Sequence, residues 1–515
     1  MAQHGRDAMW AVGLAALVVG VLLFAPLAVS LDGYSHLYQA WLLKGLLGGD
    51  PQLAERFSVN SALLPNWLTA LSLLALGTVF EPETSLKIAI AGAFVALLGG
   101  LWFACRGAAG EVRGLSFVVL IPFALAGFLT MGFLGYVWSC GLVLFALGLL
   151  LAPDFARSAR RQAGFAGLLV GAYFFHPLPV AISFFFCPAA LWRARSLRAL
   201  APWAPAGLLF GWFTAHFANA RSLTWVLSPD LLFVERLIST ARPDQLIDVA
   251  PTPTAVIPFA VLLGALGAIA VSARPLSPVL WAAGLAAVMY VVTPDGTGDA
   301  SMIDVRLLWW AIALLAVAAL APVSDRRIGM LCAVLSSGIV LLFCGEYLLV
   351  SVRLEPAVRR VREAAERLPA GTPTLVLGYR LHPGCREWGL AERTAPQRHW
   401  PMLAAVDRGL VVLNDYQPAA THFPVRYRDQ ATRMPIDELR PPPSPTRQAW
   451  AKALMEQDAG GAEAVLVWGA PNALDTDCGP GVEPPLTDAL GQQFEKTYEA
   501  REPGYVAIWR RRRAQ

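Results

Sequence analysis

Asp32 and His36 are the first residues of the chain whose types and spacing suit proton transfer. They lie in Leu31-Asp32-Gly33-Tyr34-Ser35-His36-Leu37-Tyr38, directly after an apolar run from Met9 to Ser30. A carboxylate there can take a proton from an attacking hydroxyl or orient that hydroxyl. An imidazole can share the proton or, when charged, hold an anionic leaving group. In a helix, residues four apart lie on one face. The same pair also reads as a polar helix end with a surface imidazole bonded to a carbonyl.

Other candidates stand further along. His176 precedes Pro177 inside an apolar segment, where it either caps backbone groups freed by a helix break or lines the cavity such breaks border. Arg306 opens an apolar segment; it either snorkels to headgroups or offers a guanidinium fork to a phosphate. Asp295, Asp299 and Asp304 read as turn formers and N-caps, or as carboxylates from which a divalent-metal site would be drawn. The seven cysteines show no C-x-x-C and no His/Cys metal spacing. Cys105, Cys140, Cys187, Cys332 and Cys344 lie in or beside apolar spans. Cys385 and Cys478 lie in the polar C-terminal part, where an oxidising compartment would let them pair.

The elements that position these residues follow from composition. The chain of 515 residues is 56% hydrophobic and 15% charged, where soluble domains carry about a quarter charged residues. It is therefore read as a polytopic membrane protein, and its net charge of +4 gives no indication of nucleic acid. Arg6 gives the first apolar run only a weak positive flank, and the run is longer than a signal-peptide core, so it is read as a first membrane helix. After a polar loop with the turn Gly48-Gly49-Asp50-Pro51, apolar segments lie near 61–80, 86–104, 115–130, 133–152, 164–192, 200–218, 254–273, 277–293, 306–322 and 328–351. That gives about eleven membrane segments.

Three basic clusters, Arg157/Arg160/Arg161, Arg193/Arg195/Arg198 and Arg326/Arg327, belong in the cytoplasm by the positive-inside rule. This requires an outward hairpin tip at Gly132–Gly135 and a break at His176-Pro177. It also requires that 61–80 not be a simple span but an interfacial or re-entrant segment, for which Pro65, Asn66 and Trp67 are suitable residues. Asp32, the hairpin tip, His176 and Arg306 then share the outer face. Beyond Leu354 the sequence turns polar and rich in Pro and Gly, with short apolar runs at Thr374–Tyr379, Gly409–Asn414, Ala464–Trp468 and Tyr505–Trp509 alternating with helix-like stretches. This predicts a small α/β domain, without a G-x-G-x-x-G or P-loop and therefore without an assigned nucleotide. The expected fold is mainly α: a helical membrane domain over 1–353 and an extracytoplasmic α/β domain over 354–515.

An acid just after the first membrane helix, followed by a polar loop and Pro65-Asn66-Trp67-Leu68-Thr69-Ala70-Leu71, resembles the first outer loop of GT-C-type glycosyltransferases that use polyprenyl-phosphate sugars. The chain departs from the family in two places: Asp32-Gly33 stands where an Asp-Glu doublet is common, and the paired prolines are missing before Trp67. The remaining layout resembles uncharacterised bacterial membrane proteins, through Gly132-Phe133-Leu134-Gly135-Tyr136, the His-Pro break, the Gly-rich loop before Arg306, and Asn414-Asp415-Tyr416 ahead of Phe423-Pro424. The resemblance implies a GT-C-like fold in a bacterial inner membrane and an inverting transfer of a sugar to an extracytoplasmic glycan, lipid or protein. It implies Asp32 as catalytic base and Arg306 as a ligand of the donor phosphate. His36, Asn66, Trp67, Tyr136 and His176 would be substrate-binding residues. The lipid-linked donor is already activated, so a metal is not strictly required.

Two rival classes make different demands. A transporter or flippase for a lipid-linked glycan would favour inverted repeats and mid-membrane ionisable groups, and the sequence shows neither. A non-catalytic scaffold would tolerate replacement of Asp32.

Overall fold

The apolar runs fold as helices, because a segment in hydrocarbon must satisfy its own backbone polar groups. The computed structural model describes residues 2–109, 114–194, 196–220, 225–226, 261–267, 278–293, 296–297, 302–320, 326–379, 399–420, 422–428, 461–469, 490–501 and 505–512. Among them, five helices are long and apolar enough to cross a membrane: Arg6–Phe24, Pro82–Ala108, Leu134–Leu151, Ile303–Leu320 and Arg327–Ala365. Shorter apolar helices accompany them at Gly114–Ala124, Pro177–Phe186 and Pro278–Val292. This is a multi-pass membrane protein of the expected mainly α class. The segment expected near 61–80 contains a helix of only 10 residues, Trp67–Leu76, about 15 Å long against roughly 30 Å of hydrocarbon. Cys385, Cys478, Asp295, Asp299 and the helix-like stretch 446–457 lie outside the described residues.

The chain divides into two compact units that are not contiguous in sequence. One comprises Met1–Phe24, Leu63–Thr69 and Ile88–Leu348; the other comprises Ala25–Ala62, Ala70–Lys87 and Leu349–Gln515.

In the first unit, glycines set how closely two helices approach. A Cβ on Gly100 would lie 2.5 Å from the carbonyl oxygen of Gly141, and one on Gly107 would lie 2.5 Å from that of Gly148. Small residues let membrane helices bring their backbones together in this way. The hairpin tip turns at Gly132, whose φ of +75° suits glycine. The expected break is also present: Ala159–Phe175 ends at His176, and Pro177 opens the next helix, Pro177–Ser183.

In the second unit, three parallel strands continue into an antiparallel pair, in the order Val411–Val412, Pro373–Tyr379, Ala464–Gly469, Tyr505–Arg511, Phe494–Ala500. Ala464–Gly469 is buried along its whole length, which accounts for its unbroken apolar run. The edge strand Phe494–Ala500 exposes Glu495 and Lys496, charges that discourage further strand pairing. A second small sheet pairs Phe57–Val59 with Val425–Tyr427. The composition shift at 354 falls within the 40-residue helix Arg326–Ala365. The helix continues because Leu354, Ala357, Val358, Val361, Ala364 and Ala365 are all buried, at the three- and four-residue spacing of one helical face.

Overpacking a close backbone contact costs about 1–3 kcal/mol. Gly141→Leu is therefore expected to lower the unfolding temperature of the purified protein. Gly13→Leu, where nothing lies within 4 Å of the new Cβ, should leave it nearly unchanged.

Candidate active site

The loop 25–32 has no regular structure, so side chains satisfy its backbone. In the second unit, Ser351 Oγ accepts from Leu27 N–H at 2.7 Å and donates to Leu27 C=O at 2.9 Å. Glu83 Oε1 accepts from Ala28 N–H at 3.3 Å. Lys87 donates to Ala25 C=O at 2.7 Å, and Tyr34 donates its hydroxyl to Ala28 C=O at 2.8 Å. Glu83 also lies 3.7 Å from Arg362, which binds Asp407 at 2.7 Å. One acid thus bears both on the loop before Asp32 and, through Arg362, on the helix Trp400–Arg408.

Asp32 is the N-cap of the helix Gly33–Leu47 by its backbone: its carbonyl accepts the first helical bond, from His36 N–H at 3.0 Å. Its side chain makes no cap bond. Ser30 Oγ accepts from Gly33 N–H instead, at 3.1 Å. A Cβ at position 33 would overlap Ser30 Oγ. This gives Asp32-Gly33 a physical reason where the resembled family commonly has an acidic doublet. The carboxylate, 6% exposed, instead has His399 Nε2 at 3.5 Å and the hydroxyl of Tyr416 as a hydrogen-bond partner.

The expected partner, His36, is engaged elsewhere. Gln417 Nε2 donates to its Nδ1 at 3.2 Å and also to Tyr416 Oη at 3.2 Å. Burial lowers the pKa of His36 to about 4, with the nearby His422 adding to the effect. At neutral pH it is an uncharged hydrogen-bonding ring rather than a cation for a leaving group. One position before it, Ser35 donates to Asp415 Oδ1 at 2.6 Å. Burial pushes Asp415 up to about 7; the charge of Asp32 adds to this, and bonds from Ser35 and the backbone of Gln417 and Tyr416 oppose it. His399, Asp415, Tyr416 and Gln417 had no role in the sequence reading. Asp415-Tyr416 stood there as a motif only, and the remaining clue was that four of the seven histidines, His36, His382, His399 and His422, belong to this unit.

The first unit gathers a different group. Arg306, on the helix Ile303–Leu320, is 7% exposed. Its guanidinium lies 4.6 Å from the Phe133 ring centre and 5.0 Å from that of Tyr136. Tyr136 donates its hydroxyl to Arg306 C=O at 3.3 Å. His176 spans the helix break: Ser139 Oγ donates to its carbonyl at 2.9 Å, and its Nδ1 accepts from Leu178 N–H at 3.2 Å. That bond assigns the neutral ring's proton to Nε2. Nε2 then faces Arg306 Nη1 at 3.3 Å, donor to donor, an arrangement that an anionic oxygen accepting from both would relieve.

Asn66 has a left-handed φ of 66° and belongs to the same neighbourhood. A Cβ on Gly135 would lie 3.1 Å from Asn66 Oδ1 and 2.6 Å from Phe175 C=O. Trp67 follows, half-buried, at the start of its helix. Asp304 is buried in the first turn of the Arg306 helix. Among the described residues, no three His, Cys, Asp or Glu side chains group as a metal site.

No protein-family model matches the chain, and neither does any curated protein. Two solved structures match it end to end. The crystal structure of ArnT from Cupriavidus metallidurans in the apo state has a TM-score of 0.58 at 12% identity, over 99% of this chain and 98% of that one. The structure of the same protein bound to undecaprenyl phosphate has a TM-score of 0.56 at 12% identity, over 98% of each chain. The chain therefore has the polytopic GT-C-like fold that the sequence resemblance implied. The particular protein whose fold it shares is ArnT.

The two titrations in the second unit act in opposite directions on stability. Between pH about 4 and 7, folded Asp415 keeps a proton that the unfolded chain has released, so its contribution falls as pH rises. Between about 4 and 6.5, the unfolded chain binds a proton that folded His36 refuses, so that contribution rises. Asp415→Asn should leave only the second. Its unfolding free energy is expected to climb more steeply with pH over this window than that of wild type, by up to about 1.4 kcal/mol per pH unit. Equal slopes would show Asp415 ionised in the folded protein.

Proposed function

We propose that the chain is a GT-C-type glycosyltransferase that moves a sugar from a polyprenyl-phosphate donor to an extracytoplasmic acceptor, with inversion at the anomeric carbon. The observation that carries this reading is the end-to-end likeness to ArnT, one of whose structures holds undecaprenyl phosphate. The side chains supply the chemistry it needs. Asp32 is the general base: it takes the proton of the acceptor hydroxyl as that oxygen bonds to the anomeric carbon. The bond from that carbon to the lipid phosphate breaks, and its electron pair leaves on the phosphate. Arg306 and the Nε2–H of His176 are the donors for the phosphate oxygens. Asn66, Trp67 and Tyr136 are assigned to substrate binding, and His36 is a neutral hydrogen-bonding group.

By the loop charges, the polar C-terminal sequence 354–515 is an extracytoplasmic domain, and the membrane is a bacterial inner membrane. The acceptor is a glycan, lipid or protein hydroxyl on the same side.

The test is transfer by the full-length protein in lipid, using a panel of radiolabelled polyprenyl-phosphate sugars with membrane extract as acceptor. Wild type should transfer label from at least one donor, and Asp32→Asn should be slower by about 10²–10⁴-fold. Arg306→Gln should raise the donor KM by about tenfold or more, the worth of a lost hydrogen bond to a charged group. Transfer by Asp32→Asn at the wild-type rate would remove Asp32 from the chemistry.

A further inference from the structure

Two helices of the second unit begin with a side chain that could cap them and does not. Asp32 precedes Gly33–Leu47 and its side chain makes no cap bond, while Ser30 Oγ accepts from the first helical N–H, that of Gly33. His399 precedes Trp400–Arg408 and likewise makes no side-chain cap bond. The two side chains meet each other instead, His399 Nε2 to Asp32 Oδ1 at 3.5 Å, and both are buried, at 9% and 6% exposure. A buried carboxylate is costly unless its oxygens are hydrogen-bonded, and a neutral imidazole N–H can supply such a bond. The His399 ring is itself held, tilted against Tyr416 at 5.4 Å between ring centres, and Tyr416 bonds the same carboxylate. The distance of 3.5 Å is longer than a formed hydrogen bond. Such contacts in a resting site tighten when substrate is bound.

We propose that His399 is the positioning residue of Asp32: its Nε2–H donates to Oδ1, fixing the direction in which the carboxylate meets the acceptor hydroxyl. This rests on the transfer reading above and adds the group that makes Asp32 an aimed base. The proton balance is unchanged. The acceptor's proton goes to Asp32, the phosphate leaves with its electron pair, and His399 keeps its own proton throughout. Tyr416, Asp415, His36 and His422 are the other titratable groups around the pair.

The test combines kinetics with a spectrum. In the full-length protein, His399→Ala should lower kcat by about 10²-fold, the effect of a misplaced catalytic group, with the donor KM unchanged. His399→Gln, whose amide N–H reaches a similar point, should recover most of that loss. A purely structural role would move the unfolding temperature and leave kcat per folded molecule intact. In parallel, ¹⁵N spectra of the His399 ring should show the Nε2–H tautomer in wild type and its loss in Asp32→Asn. If wild type transfers sugar and His399→Ala matches it, the proposal is overturned while the transfer reading stands. If wild type transfers nothing, the transfer reading falls and the spectrum decides the pairing: an Nε2–H tautomer that depends on Asp32 supports it, and an Asp32-independent ring overturns it.

Discussion

The hydrogen bond from Gly33 N–H to Ser30 Oγ is the interaction on which the second unit's cluster depends. An acid at a helix N-terminus ordinarily bonds the free N–H groups of the first turn, and its carboxylate is then committed to the helix. Here the Asp32 side chain makes no cap bond and Ser30 Oγ accepts from Gly33 N–H, a position where an added Cβ would overlap the serine oxygen as it stands. Asp32 keeps the favourable field of the helix N-terminus, while its oxygens are turned to His399 and Tyr416. The loop that carries Ser30 is held in turn by Glu83, Lys87 and Ser351. The backbone that leads to the acid is thus held by side chains at Ala25, Leu27 and Ala28.

The first unit meets a different constraint, that of placing a guanidinium among apolar helices. Arg306 is buried between two aromatic faces, and the His176 ring is fixed by a backbone N–H freed at a proline break. The break therefore does two things: it ends a helix, and it sets an imidazole tautomer that presents a second N–H beside the guanidinium. Gly135 lets the start of Leu134–Leu151 come close to Phe175 and Asn66, so a glycine again sets the spacing around a polar group.

Much of this was legible in the sequence where the signal is local. The Pro177 break and the turn at Gly132 follow from short-range rules about proline and glycine. The partners of the two polar residues were not legible. His36 bonds Gln417 and Ser35 bonds Asp415 across 381 and 380 positions, and no periodicity reports such pairings. The composition shift at 354 misses the continuity of Arg326–Ala365 for a related reason: a helix leaving hydrocarbon becomes amphipathic, and average polarity rises while the buried stripe continues. His399 escaped notice because it falls inside the helix-like stretch 396–407, where a lone histidine has no spacing that marks a partner, whereas in the structure it is the N-cap of Trp400–Arg408.

The most direct measurement of the mechanism is the anomeric configuration of the product. A donor of defined configuration would be turned over by the full-length protein, and the anomeric proton coupling of the isolated product read by NMR. With Asp32 acting as a base in a single displacement, the product carries the configuration opposite to that of the donor. Retention would require a covalent sugar intermediate and two displacements, and would contradict the role given to Asp32.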